Sequence, residues 1–88
     1  MEGYVYILQS LKNKKYYVGS TNNVDRRVFE HNSGKTKSIK YMRPWQLRFV
    51  QKYSTIKQAR QIECKLKKFK NRGIIEQIVA DQKINMGP

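Results

Sequence analysis

Two rhythms of apolar and polar positions run along this 88-residue chain. Tyr4 to Gln9 is a compact apolar run rich in aromatic and β-branched side chains, which predicts a strand. A polar connector, Leu11 to Lys15 with a turn-prone Asn13, leads to a second short strand over Tyr16 to Gly19. The two make a hairpin with Tyr6 and Tyr17 near each other across it. After a polar turn over Ser20 to Asn23, the spacing changes to that of a helix around Val24 to Asn32. Asn22 or Asn23 is its expected cap, Asp25 suits the positive end of its dipole, and Ser33-Gly34 is its stop signal. Residues four apart on a helix lie about 40° apart around its axis. Arg27 and His31 therefore share a face with Val24 and Val28, and that face is expected to point inward.

Lys35 to Arg43 is basic without a clear period and reads as a loop, which Pro44 separates from a third strand over Gln46 to Tyr53. There Leu47, Phe49 and Tyr53 alternate with Arg48, Val50 and Lys52, and Trp45 anchors the strand's entry. Ser54-Thr55 opens a second helix from about Ile56 to Phe69, with an apolar stripe of Ile56, Ala59, Ile62, Leu66 and Phe69. At about 100° per residue, Glu63 falls roughly 40° from Ala59, inside that stripe. Asn71 to Gly73 breaks the pattern, and Ile74, Ile75, Ile78 and Val79 predict a third helix reaching about Ile84. The fold class is α+β: a small three-stranded antiparallel sheet flanked by helices, in the order β-β-α-β-α-α. Residues 1–84 are expected to form one domain and residues 85–88 a loose tail.

Charge changes this picture most. The net charge is +13, which points to a polyanionic partner and first to nucleic acid. Thirteen Lys or Arg stand between Lys35 and Arg72 against a single acid, Glu63, so nearly all of the excess belongs to one stretch. Cys64 is alone and offers neither a disulfide within the chain nor a cysteine metal site. No apolar run approaches the length of a membrane span, and the N-terminus lacks the pattern of a signal peptide. The expectation is a reduced, cytoplasmic protein, nucleoid-associated if it binds DNA, with no membrane partner.

A carboxylate on an apolar stripe amid so much positive charge has two readings. Glu63 either pairs with Lys67, Arg60 or an inward Arg27, or it holds a metal ion. One carboxylate with waters and substrate phosphate oxygens is a common way to hold Mg²⁺. Arg27 offers a planar fork of donors suited to a phosphate, or a buried partner for Glu63. His31 is either a proton-transfer or phosphate-binding group or a satisfied structural histidine. Tyr6 and Tyr17 read as strand packing unless their hydroxyls meet at one spot, and a tyrosine acting as a base needs a nearby cation. The chain carries no Walker loop, no zinc-ligand spacing and no Ser–His–Asp order.

Taken together, Tyr4-Val5-Tyr6, Tyr17-Val18-Gly19, Ser20 to Arg27, His31 and the later Glu63 resemble the GIY-YIG nuclease domains. The likeness is greatest to the small stand-alone members, and to the nuclease domains of excision-repair enzymes and homing endonucleases. The resemblance implies hydrolysis of DNA phosphodiesters with one Mg²⁺ or Mn²⁺ ion. Carried over, Glu63 holds the metal, Arg27 stabilises the phosphate, and Tyr17 activates or positions water. Tyr6 supports that role, and His31 assists proton transfer or orientation. Three departures stand out. Tyr4 replaces the first motif's glycine, and Ser20 stands where excision-repair relatives carry a lysine, leaving Tyr17 without that cation. Neither Asn71 nor Asn85 aligns clearly with a downstream asparagine that some members use.

The expectation is a metal-dependent endonuclease, with DNA repair or recombination as candidate roles, that grips the nucleic-acid backbone through Lys35, Lys37, Lys40, Arg43, Lys67 and Lys70. DNA is favoured over RNA, and a protein partner could supply targeting. The alternative is a non-catalytic nucleic-acid binder on the same scaffold. A third reading is a basic structural protein of a ribonucleoprotein.

Overall fold

The computed structural model describes residues 2–34, 42–69 and 71–84. Its centre is β1 (Gly3–Ser10), which pairs antiparallel with β2 (Tyr16–Thr21) on one side and β3 (Trp45–Tyr53) on the other, giving the strand order β2-β1-β3. A strand covered on both faces needs apolar side chains at consecutive positions rather than alternate ones. β1 has them: Val5, Tyr6, Ile7 and Leu8 are all essentially inaccessible to solvent. Helices α1 (Val24–Asn32), α2 (Ile56–Phe69) and α3 (Arg72–Asp81) complete the order β-β-α-β-α-α expected from the sequence.

The two faces of the sheet differ. On one, Val5, Ile7, Val18 and Phe49 pack beneath Ala59, Ile62 and Leu66 of α2, joined by Ile75, Ile78 and Ile84. On the other, Tyr6, Leu8 and Trp45 pack with Tyr17, Val28 and Met42. β3 serves both faces through an irregularity. Ile7 pairs with Phe49 but its neighbour Leu8 pairs with Leu47, which leaves Arg48 as an extra residue, a β-bulge. Trp45 and Phe49, four apart and so on one face in a regular strand, thereby end on opposite faces.

The bulge also corrects the alternation read from the sequence. Leu47 is exposed rather than buried, whereas Val50 is exposed as its phase in the alternation implied. Phe69 is exposed as well, because it lies at the margin of the α2 stripe and in the helix's last turn. The third helix begins at Arg72, two residues before the expected start. Asn71 acts as its cap rather than as a break, its Oδ1 accepting the Gly73 N–H at 2.8 Å. That helix ends at Asp81, where Gln82 turns left-handed with φ 54°, so the buried Ile84 lies beyond it. The Ile84 N–H donates to Gln51 Oε1 at 3.0 Å. Most of the basic loop, the 85–88 tail with Asn85, and Lys35, Lys37, Lys40 and Lys70 lie outside the described residues.

Candidate active site at the edge of the sheet

Of the two possible caps of α1, Asn23 is the one used. Its Oδ1 accepts the Arg26 N–H at 3.1 Å. The other end of the helix is fixed by Asn32, which accepts the Trp45 N–H at 2.6 Å and donates to the Trp45 carbonyl at 3.1 Å. This clamp ties α1 to the start of β3 and presses His31 into the sheet, where it is wholly buried. Tyr6 Oη lies 3.1 Å from His31 Nε2. Tyr17 meets the imidazole edge-on, with ring centroids 4.9 Å apart, and the Tyr6 and Tyr17 rings are 6.4 Å apart.

Register explains how two tyrosines from different strands converge. Tyr6 pairs with Gly19 and Leu8 with Tyr17, so the tyrosines are diagonal neighbours on one face. The Tyr6 ring lies directly over Gly19, and a Cβ there would stand 2.5 Å from Tyr6 Cζ. Gly19 is therefore required by close approach rather than by an unusual dihedral angle, and β2 continues past it to Thr21.

Burial pulls the His31 pKa down to about 4, with the nearby Arg27 charge adding to the effect, so the ring is neutral at physiological pH. Its Nδ1 is buried without a hydrogen-bond partner among the described residues. An orphaned acceptor is tolerated better than an orphaned N–H. That assigns the proton to Nε2, which donates to Tyr6 Oη and leaves the tyrosine's own proton for another acceptor. Burial also raises the Tyr6 pKa above its ordinary 10.0, against the opposing pull of the Arg27 guanidinium at its hydroxyl, so Tyr6 stays protonated. Arg27 also donates to Glu30 at 3.1 Å. It is the partner of Tyr6 and Glu30, not of Glu63.

Glu63 reaches the site from the opposite face. Ser20 alternates with Tyr17 and Gly19 and so faces α2, where its hydroxyl donates to Glu63 Oε1 at 2.5 Å. Lys67, one helical turn on, donates to Glu63 Oε2 at 2.6 Å, and its ammonium lies 5.5 Å from the Tyr17 ring centroid. Because β2 is an edge strand, Tyr17 from one face and Glu63 with Lys67 from the other meet around it. Partial burial works against the Lys67 ammonium, but the hydrogen bond and charge of Glu63 prevail and keep its pKa above the ordinary 10.5.

The five residues singled out for chemistry, Tyr6, Tyr17, Arg27, His31 and Glu63, thus belong to one neighbourhood. Lys67, expected to grip a nucleic-acid backbone, also sits beside them, against Glu63 and the Tyr17 ring. Its signal in the sequence was the four-residue spacing from Glu63, but nothing in the sequence placed it beside Tyr17. Asn32 carried no signal beyond polarity, and Ser20 was marked only as a departure from the family's lysine, not as a partner of Glu63. Arg43 is exposed, with its guanidinium against Gly34 at the end of α1. Asn71 is occupied as the α3 cap.

Comparison of its sequence with known families puts this small α+β domain in a nuclease-type family. The sequence matches the GIY-YIG catalytic domain over residues 2–75, and the chain belongs to that family. It is similar to the UPF0213 protein YazA of Bacillus subtilis, 41% identical over 58 residues. That alignment spans 65% of this chain and 59% of YazA, less than two thirds of that relative. A UPF0213 protein of Natronomonas pharaonis is 37% identical over 82 residues, covering 90% of this chain and 92% of the relative. The fold matches the solution NMR structure of a UPF0213 protein from Bacillus halodurans, with a TM-score of 0.57 and 36% identity over 91% of this chain and 84% of the other.

Proposed function

We propose that this protein is a divalent-metal-dependent endonuclease that hydrolyses phosphodiester bonds, with DNA the favoured substrate. The observation that carries the reading is the meeting of Tyr6, Tyr17, Arg27 and His31 from one face of the sheet with Glu63 from the other, around the β2 edge.

Each side chain has a task that its surroundings suit. Neutral His31 holds Tyr6 through its Nε2–H, and Tyr6 donates its own proton to a phosphate oxygen. Arg27 neutralises the charge that grows on that phosphate as water adds. Tyr17, having first released its own proton to solvent, orients the attacking water and takes a proton from it. Lys67 supplies the positive charge that a tyrosine acting as a base requires, in place of the lysine that Ser20 replaces. The phosphorus–oxygen bond opposite the water then breaks, and the leaving oxygen is protonated from solvent.

Glu63 and Ser20 offer hard oxygen donors at a partly buried position, which fits Mg²⁺ or Mn²⁺. The described residues contain no group of three His, Cys, Asp or Glu able to hold an ion alone, so Glu63 would hold it together with waters and the substrate's phosphate. When bound, such an ion polarises the phosphate and stabilises the leaving oxygen.

The two hydrogen bonds already made by Glu63, to Ser20 and Lys67, favour a second reading in which the carboxylate is structural and the protein only binds nucleic acid. One experiment separates them. Labelled single-stranded, duplex, flapped and branched DNA, and RNA, are incubated with the protein in Mg²⁺, Mn²⁺ or EDTA, beside Glu63→Gln. Metal-dependent cleavage abolished by Glu63→Gln, with binding retained, is the expected result. Binding without cleavage in any metal establishes the binder.

A further inference from the structure

Beyond Tyr17 and Lys67, the β2 edge opens into a groove of about 360 Å³ that runs toward the N-terminal end of α3. This is the lower end of the range for sites that take one small ligand, about 300–1,000 Å³. Val18, Leu66 and Ile75 contribute apolar surface, and Lys15, Lys67 and Arg72 bring three positive charges. No acid is among the described residues lining it, though Lys67 and Arg72 are ion-paired to Glu63 and Glu76 just outside the lining. Lys15 is in no ion pair among the described residues.

Arg72 is set unusually firmly for a half-exposed arginine. Its guanidinium lies over the Tyr16 ring at 5.0 Å, Nε donates to Glu76 at 2.8 Å, and an Nη donates to the Lys14 carbonyl at 3.1 Å. Three ties from three elements fix the fork before any ligand arrives, which lowers the entropy lost on binding an anion.

We infer that this groove is a nucleotide subsite, holding the sugar and base that flank the scissile phosphate while Arg72 and Lys15 hold the next phosphate along the strand. The inference deepens the nuclease reading and rests on it for the identity of the strand. Two features select the occupant. The groove begins at Tyr17, so a strand whose phosphate lies at the reacting residues can continue directly into it. Its surface combines apolar and aromatic area for a flat ring with cations and no acid, which complements a nucleotide's base and phosphate. Apolar contact reads no base edge, so the subsite accepts different bases.

The test uses the full chain in EDTA, where no metal-dependent cleavage occurs, and a thymidine bisphosphate with a phosphate on each sugar hydroxyl as probe. Amide proton–nitrogen correlation spectra are followed during titration, with inorganic phosphate and thymidine as separate arms. The expected result is saturable shifts at Tyr16, Val18 and Ile75, which inorganic phosphate alone does not reproduce. Arg72→Gln and Lys15→Gln are each expected to weaken the bisphosphate by about tenfold. Lys15 is exposed, so its variant keeps the test valid if loss of the Arg72 ties impairs folding. Arg72→Lys, which keeps the charge without the fork, is expected to restore only part of the affinity.

Shifts scattered over all lysines, or both Gln variants binding as the parent does, overturn the inference. So does preferential binding of an acidic peptide in the groove. Groove binding without cleavage of any substrate defeats the nuclease reading alone, whereas cleavage by a protein whose groove ignores the nucleotide defeats this one alone.

Discussion

The two faces of this three-stranded sheet are built from the same strands to opposite specifications. Beneath α2 and α3 the core is almost wholly aliphatic, with Phe49 its one buried aromatic among the described residues. Beneath α1 the packing is aromatic and polar: Tyr6 and Tyr17 around a buried His31, with Trp45 alongside. The second face even contains buried nitrogens, His31 Nδ1 and Trp45 Nε1, without hydrogen-bond partners among the described residues. A fold optimised only for stability would not retain these, because an unsatisfied buried polar group costs about 1–3 kcal/mol. The aliphatic face can carry that cost. One side of the sheet supplies stability, and the other uses part of it to hold polar groups in a fixed arrangement.

Substitutions that act on one face and not the other sharpen this contrast, and they fall in order of their effect on stability. Ile62→Ala removes a fully buried aliphatic side chain and is expected to cost about 2–5 kcal/mol. Denaturant unfolding measures it, while the specific activity of the protein that remains folded stays near the parent's. An equal loss of activity per folded molecule would show that the faces are not separable.

The aromatic face is expected to fail in acid. The His31 pKa is lowered in the fold to about 4 from 6.5, so between those values the unfolded chain binds more protons. Stability is therefore full above about pH 6.5 and is lost as pH falls toward 4, on the order of 3 kcal/mol. Unfolding followed across this window should show that slope, and His31→Leu should flatten it. An unchanged slope in the variant would assign acid sensitivity to other groups.

Gly19→Ala is expected to cost about 1–3 kcal/mol, because the added Cβ displaces a tyrosine ring that is itself buried. Loss of the Tyr6–His31 contact in the imidazole's NMR signals would report the displacement. Tyr6→Phe should likewise cost about 1–3 kcal/mol, because it leaves the buried His31 Nε2–H without its acceptor and removes the hydroxyl that Arg27 reaches. Under the proposed function it also removes a donor to the phosphate, so cleavage should fall on the order of 10²-fold. A Tyr6→Phe protein that cleaves normally would confine Tyr6 to packing.

Much of this was legible along the chain. The unbroken apolar run in β1 marked it as a strand, the Asn-Val-Asp sequence marked the start of α1, and the four-residue spacing put Arg27 and His31 together. The misreadings share one cause: local pattern does not encode how far a neighbouring element extends. Leu47 alternates correctly in isolation, yet the bulge at Arg48 places it where α1 does not cover it. Phe69 continues the α2 stripe, yet it remains exposed. Asn71 looked like a break because the capping bond to Gly73 became visible only with the helix in place.

The sequence by itself determined the element order and the set of candidate site residues, because periodicity, caps and residue types are local properties, whereas the central place of β1 came from the strand pairing. Only the tertiary structure decided that Tyr17 and Glu63, carried on opposite faces, meet around an edge strand. It also decided that the Lys67 ammonium, paired with Glu63, lies 5.5 Å from the Tyr17 ring centroid. Both depend on where α2 lies against β2, which is set by the packing of Ala59, Ile62 and Leu66 on the sheet. That packing satisfies burial over the whole domain at once, and no single stretch of the chain records it.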